Sequence, residues 1–570
     1  MYRTEHPRPQ FRRDTWKNLN GTWAFYIDRG VSGRDRKIYT AETPAEVFDK
    51  TIEVPFCPES ALSGIRDTDF MNAVWYRRTV TVSDSDLCGR VILHFGACDW
   101  FTRVWVNGEE AGYHAGGYVS FAFDITSHLH AGENLLVVGA EDDTRDPMIP
   151  RGKQSELYHS HGCDYTRTTG IWQTVWLEMK PNDFIDDLTL TPCLETDSVT
   201  LALQTVGRGD LDVKITYEGR ETAHAHLENV SGDLSFSLPL SERHLWELGC
   251  GRLYDVDITF GEDLVHTYFG LRKIEYRDKK FYLNGKSVFQ RLVLDQGFYP
   301  DGVYTAPSDE ELHADIKRSM AMGFNGARLH QKVFEERFLY HCDKEGYIVW
   351  GEYPNWGLDH TRAEAVHAIL PEWLAEIRRD KNHPSIVGWC PFNETWDHHY
   401  SRQCDDVLAL VYRATKAADP TRPCIDTSGN FHVGEFTDIY DVHEYEQDPA
   451  KFRAIFDPLM TGTYRDKFAD RQNYRFDKPF FVSEYGGIFW SDKGGWGYGN
   501  APKTAEEFLA RIKGLTDALL DDPCVFAYCY TQLTDVEQEQ NGLYTYERKP
   551  KFDPAVIHAI LSAPAAVEKE

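Results

Sequence analysis

Short apolar runs alternate with amphipathic helical patterns from residue 273 to the end of this chain. Eight of these runs have the length of buried strands, from VFQRLVLDQ at 288–296 to VFAYCYTQL at 525–533. Two of the helical patterns begin at Ser308–Glu311 and Thr504–Glu507, which predict N-terminal capping boxes. Eight strand–helix units in about 290 residues predict a (β/α)8 barrel. An open doubly wound sheet is the alternative, although no Gly-rich phosphate loop follows any run.

Two regions with strand patterns and no helical periodicity precede the predicted barrel. In the first, Asn107-Gly108 is a favoured two-residue hairpin turn between strand-like runs, and we predict a jelly-roll β-sandwich. In the second, apolar and polar residues alternate over about 90 residues, which predicts an immunoglobulin-like β-sandwich. The predicted protein is therefore multidomain, divided into residues 1–180, 181–272 and 273–570.

Charge and cysteine spacing limit the partners and the compartment. The chain has 61 basic and 90 acidic residues, and its formal charge of −29 repels nucleic-acid backbones and anionic membranes, so we expect neither as a partner. No apolar run approaches the ~18 residues of a membrane span, and the opening MYRTEHPRPQFRRD lacks an apolar signal core. The 12 cysteines show no zinc-like spacing, and with no signal core we expect a cytoplasmic protein with reduced thiols. The acidic charge favours a small-molecule substrate, and we expect no cofactor.

Polar residues follow most of the predicted barrel strands. Active sites of (β/α)8 barrels lie at the carboxyl ends of the strands, so these side chains are predicted to converge on one rim. Each of them is also explained as a capping or solvated loop residue, but that explanation does not account for the convergence. The residues are Asp295, Gln296, Arg328, His330, Glu352, Asn393, Glu394, His443, Tyr445, Glu484, Gln532 and Asp535.

Two members of this set, Glu394 and Glu484, each follow an apolar strand on opposite sides of the predicted barrel mouth. Hydrolysis of a glycosidic bond needs two such carboxyl groups with different pKa values. Aromatic neighbours in the sequence, including Trp389 and Trp396, predict that burial raises the pKa of Glu394 and makes it the proton donor. Hydrogen-bond donors next to Glu484 predict that it stays ionised. A structural ion pair with Arg328 is the alternative for either glutamate.

Four stretches of the chain resemble glycoside hydrolase family two, the group of β-galactosidases, β-glucuronidases and β-mannosidases. They are NHPSIVGWCPFNE, FFVSEYGG ninety positions later, DYTRTTGIWQTVWLE at 164–178 and YFGLRKIEY at 268–276. The resemblance covers nearly the whole chain and implies a sugar-binding-like sandwich, an immunoglobulin-like domain and a catalytic barrel. It further implies a retaining exo-β-glycosidase that acts on a small carbohydrate or glycoside. Homo-oligomers are common in this group.

The resemblance also assigns roles to individual residues. It makes Glu394 the acid/base and Glu484 the nucleophile of a double displacement. It implies that Asn393 binds the 2-hydroxyl of the sugar and that Tyr445 orients the nucleophile. Asp164 matches an aspartate that the first sandwich sends into the active site, with a solvated loop acid as the alternative.

Further substrate-binding positions match the family pattern less closely. His330 lies one place from the usual histidine after the second strand, and Arg328 is predicted to hold one glutamate ionised. His443, after the sixth strand, is also predicted to bind the substrate. Tyr530 is near the place where many relatives have a tryptophan platform. Trp490, in the loop GIFWSDKGGWGYGN at 487–500, is a predicted part of the wall around the leaving group.

The departures from the family pattern concern the sugar. No Asn-x-Lys motif, which in β-glucuronidases of this group binds the uronate, occurs in the late loops, and no Glu-x-His metal site follows the third strand. We therefore expect no metal and a neutral sugar. Galactose is the preferred prediction, followed by glucose or a pentose. Two other classes stay open: a non-catalytic carbohydrate-binding protein, and a metal-dependent barrel hydrolase using WDHHY at 396–400.

Overall fold

The structure is a computed structural model that describes residues 2–397, 401–433 and 436–569. Within the described residues, the N-terminal domain has two main antiparallel sheets, ordered β3-β2-β4-β10-β7-β8 and β1-β12-β5-β9. Apolar residues of both sheets, such as Phe25 and Leu93, share one core, so the sheets form a sandwich. The strands are β1 Trp16–Asn18, β2 Gly21–Ile27, β3 Lys50–Val54, β4 Ala73–Val82, β5 Arg90–Phe95, β6 Cys98–Asp99, β7 Phe101–Val106, β8 Glu109–Ala115, β9 Phe121–Asp124, β10 Gly132–Glu141, β11 Gly170–Ile171 and β12 Val175–Lys180.

The second domain is an antiparallel sheet in which β13, β14, β16 and β17 are neighbours in that order and β15 pairs with β14. Its inward residues alternate along the strands, as the sequence predicts, and Leu201, Val213 and Ile258 are fully buried. The five strands form one sheet that curls around this core, in the region predicted to be an immunoglobulin-like sandwich. The strands are β13 Phe184–Cys193, β14 Ser198–Tyr217, β15 Arg220–Pro239, β16 Tyr254–Phe260 and β17 Asp263–Phe269.

A three-stranded sheet covers one end of the barrel interior. Its residues Phe281 and Leu283 pack against Leu292, Trp350 and Phe481, which point into the barrel from three strands. The sheet therefore closes the end opposite the carboxyl ends of the barrel strands. Its strands are β18 Ile274–Arg277, β19 Lys280–Leu283 and β20 Lys286–Ser287.

The barrel itself is a parallel sheet ordered β24-β23-β22-β21-β27-β26-β25. Residues 424–428 lie between β24 and β25 and complete the ring through isolated parallel bridges from Trp389 to Cys424 and from Asn393 to Ser428. The predicted fifth strand, CIDTSG, is thus an irregular segment, because side chains such as Asp426 and Ser428 bond to groups outside the ladder. The regular strands are β21 Gln290–Asp295, β22 Gly326–Leu329, β23 Ile348–Glu352, β24 Ile386–Cys390, β25 Tyr440–Glu444, β26 Phe480–Gly486 and β27 Val525–Thr531.

Helices follow most of the barrel strands, and none is assigned between residue 428 and β25 in the part of the chain that the structure describes. The side chain of Ser308 accepts from the backbone N–H of Glu311, and that of Thr504 accepts from Glu507, which confirms both predicted helix starts. No described helix has the length and apolarity that a membrane crossing requires. The helices are α1 Asp309–Ala321, α2 Glu336–Glu345, α3 Val366–Asp380, α4 Asp405–Ala418, α5 Pro449–Phe456, α6 Ala505–Leu520 and α7 Pro554–Leu561.

The N-terminal sandwich is joined to the mouth of the barrel by buried polar contacts. The backbone N–H of Arg151 donates to the carbonyl of Trp356 over 2.7 Å. The hydroxyl of Tyr165 donates to Glu539 over 2.5 Å. Residues 150–165 of the sandwich therefore lie beside the carboxyl ends of the barrel strands, where barrel active sites are built.

Candidate active site

Two glutamates face each other at the mouth of the barrel. Glu394 lies four residues beyond β24, and Glu484 lies within β26. A carboxylate oxygen of one lies within 4.8 Å of a carboxylate oxygen of the other. Carboxyl groups of retaining glycosidases are about 5–5.5 Å apart, whereas inverting enzymes need about 6.5–9.5 Å to admit a water molecule. The observed separation corresponds to the retaining arrangement.

Glu484 is buried, and its carboxylate accepts hydrogen bonds from donors on other strands. The hydroxyl of Tyr445 donates to its Oε2 over 2.5 Å, and Nη1 of Arg328 donates to its Oε1 over 3.2 Å. Its side chain is 6% exposed. Arg328 also donates to Glu352 over 2.6 Å and to the side-chain oxygen of Asn393 over 2.8 Å. The predicted ion pair of Arg328 is therefore with Glu484, and it fixes the carboxylate in place.

Glu394 is more open, and its main partner is a histidine. Its side chain is 21% exposed, and Nδ1 of His443 lies 2.6 Å from its Oε1. Its backbone has a φ of +47°, in the left-handed region that non-glycine residues seldom adopt. Its N–H donates to the carbonyl of Ser428 over 2.9 Å, which holds this turn in position.

The expectation of a raised pKa for Glu394 is wrong in the ligand-free site. Burial acts to raise the pKa, but the hydrogen bond and charge of His443, together with the charges of Lys153 and His330, lower it to about 2. The aromatic neighbours in the sequence do not surround the carboxylate. Trp389 packs against another tryptophan in the core, and Trp396 is 52% exposed.

A third glutamate, Glu352, lies beside the pair at the end of β23, on the rim where the sequence predicts it, although the sequence assigns it no specific role. It is fully buried, and it accepts hydrogen bonds from Arg328 and from the backbone of Gln331. Nδ1 of His330 lies 2.9 Å from its Oε1. Burial acts to raise the pKa of Glu352, but Arg328 and His330 lower it to about 2. His330 thus lies beside Glu352, and its role toward a substrate stays a prediction.

Asn393 has a free amide group in the site. Its side-chain oxygen is bound by Arg328, but its Nδ2 is buried without a hydrogen-bond partner among the described residues. Its backbone N–H donates to Asn355, and its carbonyl accepts from Trp356. A buried donor without a partner is costly, so this amide is suited to bind a hydroxyl of the substrate.

The N-terminal sandwich contributes Asp164 and two basic residues. Oδ1 of Asp164 accepts from Nη1 of Arg151 over 2.5 Å. Arg151 and Glu394 line the same cavity of about 390 Å³, together with Trp356 and Trp396. Asp164 is therefore near the barrel mouth, as predicted, with Arg151 as its ion-pair partner.

Lys153 is the residue near the site that sequence reasoning missed most clearly. It is 5% exposed, and within the described residues its ammonium makes no hydrogen bond or ion pair, although it lies 3.9 Å from the ring centre of Trp356. Burial acts to lower its pKa, but the charges of Cys163, Glu539, Asp164 and Glu484, taken together, raise it. The motif PRGK at 150–153 has no pattern that distinguishes this lysine from a surface lysine.

Two predicted substrate-binding aromatics do not line the site. Tyr530 is fully buried and packs against Tyr485 and Phe324, because alternate residues of β27 face the helices. The next residue, Thr531, faces inward and lies 3.1 Å from the hydroxyl of Tyr445.

Trp490 also packs away from the glutamates, against Phe508 and Phe552. Its loop reaches the site through a different residue, Tyr498. The ring of Tyr498 stacks on the ring of Tyr445 with centroids 3.5 Å apart.

Two sets of side chains have donor atoms close enough for a cation: Glu156, His161 and Asp164, and Glu394, His443 and Glu484. In each set one carboxylate already bonds to a basic side chain of the protein: Asp164 to Arg151, and Glu394 to His443. In the WDHHY motif, Asp397 pairs with Arg471, and both histidines lie outside the described residues.

Facing carboxylates at the mouth of a (β/α)8 barrel fit one class of enzyme, the glycoside hydrolases, which use such a pair to cleave a glycosidic bond. Residues 16–181 match the sugar binding domain of glycosyl hydrolases family 2, and residues 274–507 match the TIM barrel domain of the same family. The chain belongs to glycosyl hydrolases family 2.

The chain is similar to several curated proteins and solved structures. A β-glucuronidase of Pongo abelii is 25% identical over 82% of this chain and 77% of its own length. A β-galactosidase of Thermoanaerobacter pseudethanolicus is 29% identical over 67% of this chain, which spans about half (51%) of that protein. The structure of a Ruminococcus gnavus β-glucuronidase in complex with D-glucuronic acid has a TM-score of 0.79, 18% identity and coverage of 98% and 100% of the two chains.

Proposed function

We propose that this protein is a retaining exo-β-glycosidase in which Glu484 is the nucleophile and Glu394 is the acid/base. The observation that carries the proposal is the separation of their carboxylate oxygens, within 4.8 Å. Glu484 attacks the anomeric carbon while the bond to the leaving oxygen breaks and a proton passes from Glu394 to that oxygen. Water then attacks the same carbon, the bond to Glu484 breaks, and Glu394 takes the proton of the water.

The contacts of each glutamate fit these tasks. Tyr445 and Arg328 orient the carboxylate of Glu484 for the attack. The unpaired amide of Asn393 is available to the 2-hydroxyl of the sugar, a contact that strengthens in the transition state. Glu394 lies on the side that is more exposed, where a leaving group departs.

For the sugar, we propose a β-glucuronide as the first candidate. The supporting observation is the buried ammonium of Lys153, which has no ion pair among the described residues and lies near enough to Glu484 for its charge to be felt there. A uronate carboxylate would supply the missing partner. The similarity to proteins named β-glucuronidase in Pongo abelii and Ruminococcus gnavus points the same way.

This candidate does not require the late Asn-x-Lys motif, which the chain lacks. Two basic residues of the late barrel loops pair with carboxylates of the protein. Lys551 pairs with Asp535 over 2.6 Å, and Arg548 pairs with Asp315 over 3.2 Å. A cation for the substrate would then come from the N-terminal sandwich instead of the barrel.

A neutral β-galactoside is the second candidate, and the charges around Lys153 favour it. Asp164 and Glu539 are both near enough to stabilise the ammonium electrostatically without a substrate anion. In that case the lysine would donate hydrogen bonds to sugar hydroxyls, and a uronate would meet additional repulsion from these carboxylates.

The two candidates are separated by nitrophenyl β-glycosides of glucuronic acid, galactose and glucose, assayed with the wild-type protein and Lys153→Met. If the ammonium binds a uronate, the substitution lowers kcat/KM for the glucuronide by about 100-fold, the range for a buried charge pair, and affects the galactoside far less. Lys549→Met, which removes an exposed lysine of the late barrel, is the matched control and leaves both rates unchanged. Equal losses on both sugars would reject the uronate assignment, and no hydrolysis of any glycoside would reject the enzyme assignment.

A further inference from the structure

A continuous line of buried polar side chains runs from the acid/base into the wall of the barrel. Nδ1 of His443 lies 2.6 Å from Glu394, and its Nε2 lies 3.1 Å from the hydroxyl of Ser428. Ser428 donates to Asp441 over 2.6 Å. We call this line the relay; its members are Glu394, His443, Ser428, Asp441, His432 and Asp426.

The far end of the relay holds Asp441 as an anion. His432 lies between two carboxylates, with Nδ1 2.6 Å from Asp426 and Nε2 3.1 Å from Asp441. Burial acts to lower the pKa of His432, but these two carboxylates raise it well above the ordinary value. Burial acts to raise the pKa of Asp441, but the hydrogen bond and charge of His432, with further help from His443 and Ser428, lower it.

The donors and acceptors around Ser428 determine which ring nitrogen of His443 carries a proton. An ionised Asp441 only accepts, so the single hydroxyl proton of Ser428 points to it, as does the hydroxyl proton of Ser483. The oxygen of Ser428 is consequently an acceptor toward His443. Nε2 of His443 therefore carries a proton, and Nδ1, on the other side of the ring, is the atom that faces Glu394.

Other charged groups lie around the contact between His443 and Glu394. Oε2 of Glu484 lies 3.4 Å from this atom. Lys467 donates to the backbone carbonyl of His443 and not to the ring. Lys153 and His330 are close enough to act on Glu394, and both favour its ionised form. The charged groups around the contact between His443 and Glu394 are therefore the carboxylates of Glu394, Glu484 and Asp441. Two basic groups, Lys153 and His330, lie across the cavity.

We propose that Glu394 and His443 share one proton, that the relay keeps Nε2 of His443 protonated, and that the proton delivered to the leaving oxygen comes from Nδ1 of His443 by way of Glu394. The proposal rests on the proposed acid/base role of Glu394. His443 is a positioning residue in this scheme, since it acts through Glu394, and Ser428 and Asp441 act through His443.

The proton balance is closed over one catalytic cycle. As the glycosidic bond breaks, the proton passes from Nδ1 of His443 to Glu394 and from Glu394 to the leaving oxygen, while Glu484 bonds to the anomeric carbon. In the second half, water bonds to that carbon, the bond to Glu484 breaks, and the proton of the water passes through Glu394 back to Nδ1.

The relay has a specific consequence for the pH profile. The alkaline limb of kcat/KM records the loss of the last proton from the shared pair. Two sites that share a proton retain it to a higher pH than one site alone. Removing His443 therefore moves the alkaline limb to lower pH, whereas a purely structural role would lower the rate at every pH without moving the limb.

The test measures kcat/KM against pH for His443→Gln and Ser428→Ala, using a phenyl β-glycoside of the sugar that the wild-type enzyme prefers. We expect the alkaline limb of His443→Gln to move by about one pH unit or more, which is about tenfold in rate on the alkaline side, and that of Ser428→Ala to move less in the same direction. Ser319→Ala is the control, because it removes a buried serine hydroxyl that bonds Tyr347 and no member of the relay, and its limb stays in place. An unmoved limb in His443→Gln would overturn the proposal.

Two further measurements separate this proposal from others. With a dinitrophenyl glycoside, whose leaving group needs no proton, the difference between wild type and His443→Gln should disappear from the alkaline limb. Nitrogen-15 NMR of the imidazoles should show one resonance, missing from His443→Gln, with Nε2 protonated at neutral pH. An unprotonated Nε2 would reject the relay even if no glycoside were hydrolysed, whereas an inactive wild type with a protonated Nε2 would reject only the proposed function.

Discussion

The two glutamates of the site differ in what surrounds their carboxylates. Glu484 is almost fully buried and receives hydrogen bonds from Tyr445 and Arg328. Glu394 is partly exposed, and Nδ1 of His443 lies 2.6 Å from its carboxylate. These different surroundings support the tasks proposed for the two glutamates, nucleophilic attack for Glu484 and proton exchange for Glu394.

Glu484→Gln should lower kcat by several orders of magnitude without unfolding the protein. The amide oxygen keeps the shape of the side chain but cannot form the covalent intermediate. Steady-state kinetics and thermal unfolding measure the two effects, with Glu444→Gln, a nearby residue outside the pair, as the control. Turnover close to wild type in Glu484→Gln would remove the nucleophile assignment.

Sequence alone identified the glutamates, Asn393 and Tyr445 because each lies beside a strand end whose position the apolar pattern gives. It could not identify Lys153 or the contact between His443 and Glu394. Those contacts join residues far apart in the chain, and no local pattern encodes the distance between them. The error about the pKa of Glu394 has the same cause, since sequence neighbours were taken as spatial neighbours.

The segment at 424–429 shows where strand prediction fails for a physical reason. Its apolar residues Cys424 and Ile425 are buried like those of a strand. Its polar residues bond through side chains to the relay, and the chain turns at Gly429 with a φ of +85°. Helix starts at Ser308 and Thr504 were predictable in contrast, because capping involves only residues three apart.

Gly429→Ala should reduce both activity and stability. An added Cβ would lie 2.4 Å from Nδ1 of His443, so the imidazole must move away from Glu394. We expect a loss of about 1–3 kcal/mol in the free energy of unfolding from the strained φ and the overpacking, together with a lower kcat/KM.

Gly462→Ala is the matched control for that substitution. Gly462 has a φ of +69° and nothing within 4 Å of the added Cβ, so it reports the backbone strain alone. Its kcat/KM should equal that of wild type. Equal activity of Gly429→Ala and Gly462→Ala would show that the imidazole tolerates the displacement.

Buried contacts hold the three domains at fixed positions relative to one another. Arg13 joins the first two domains: it pairs with Glu178 of the last N-terminal strand over 2.8 Å and with Asp263 of the second domain over 2.7 Å. Contacts such as that of Tyr165 with Glu539 then join the first domain to the barrel. The first sandwich can present Lys153 and Asp164 to the barrel only while this arrangement persists.

Arg13→Ala should destabilise the protein by about 3–5 kcal/mol, because it leaves two buried carboxylates without their partner. Urea unfolding measures the change. Arg220→Ala removes an arginine that is 55% exposed and paired with Glu242, and should leave the free energy of unfolding almost unchanged. A similarly small effect of Arg13→Ala would show that the domain contact depends on apolar packing instead.

The unequal exposure of the two glutamates has a consequence for what the enzyme can release. With the proposed function, the sugar end of a conjugate would be enclosed by groups from two domains, whereas the alcohol attached to it would project past Glu394 toward bulk water. The closed side would then select one monosaccharide, and the open side would set few limits on the size of the alcohol. We therefore expect conjugates of many unrelated alcohols to be cleaved at comparable rates, provided that they carry the same terminal sugar.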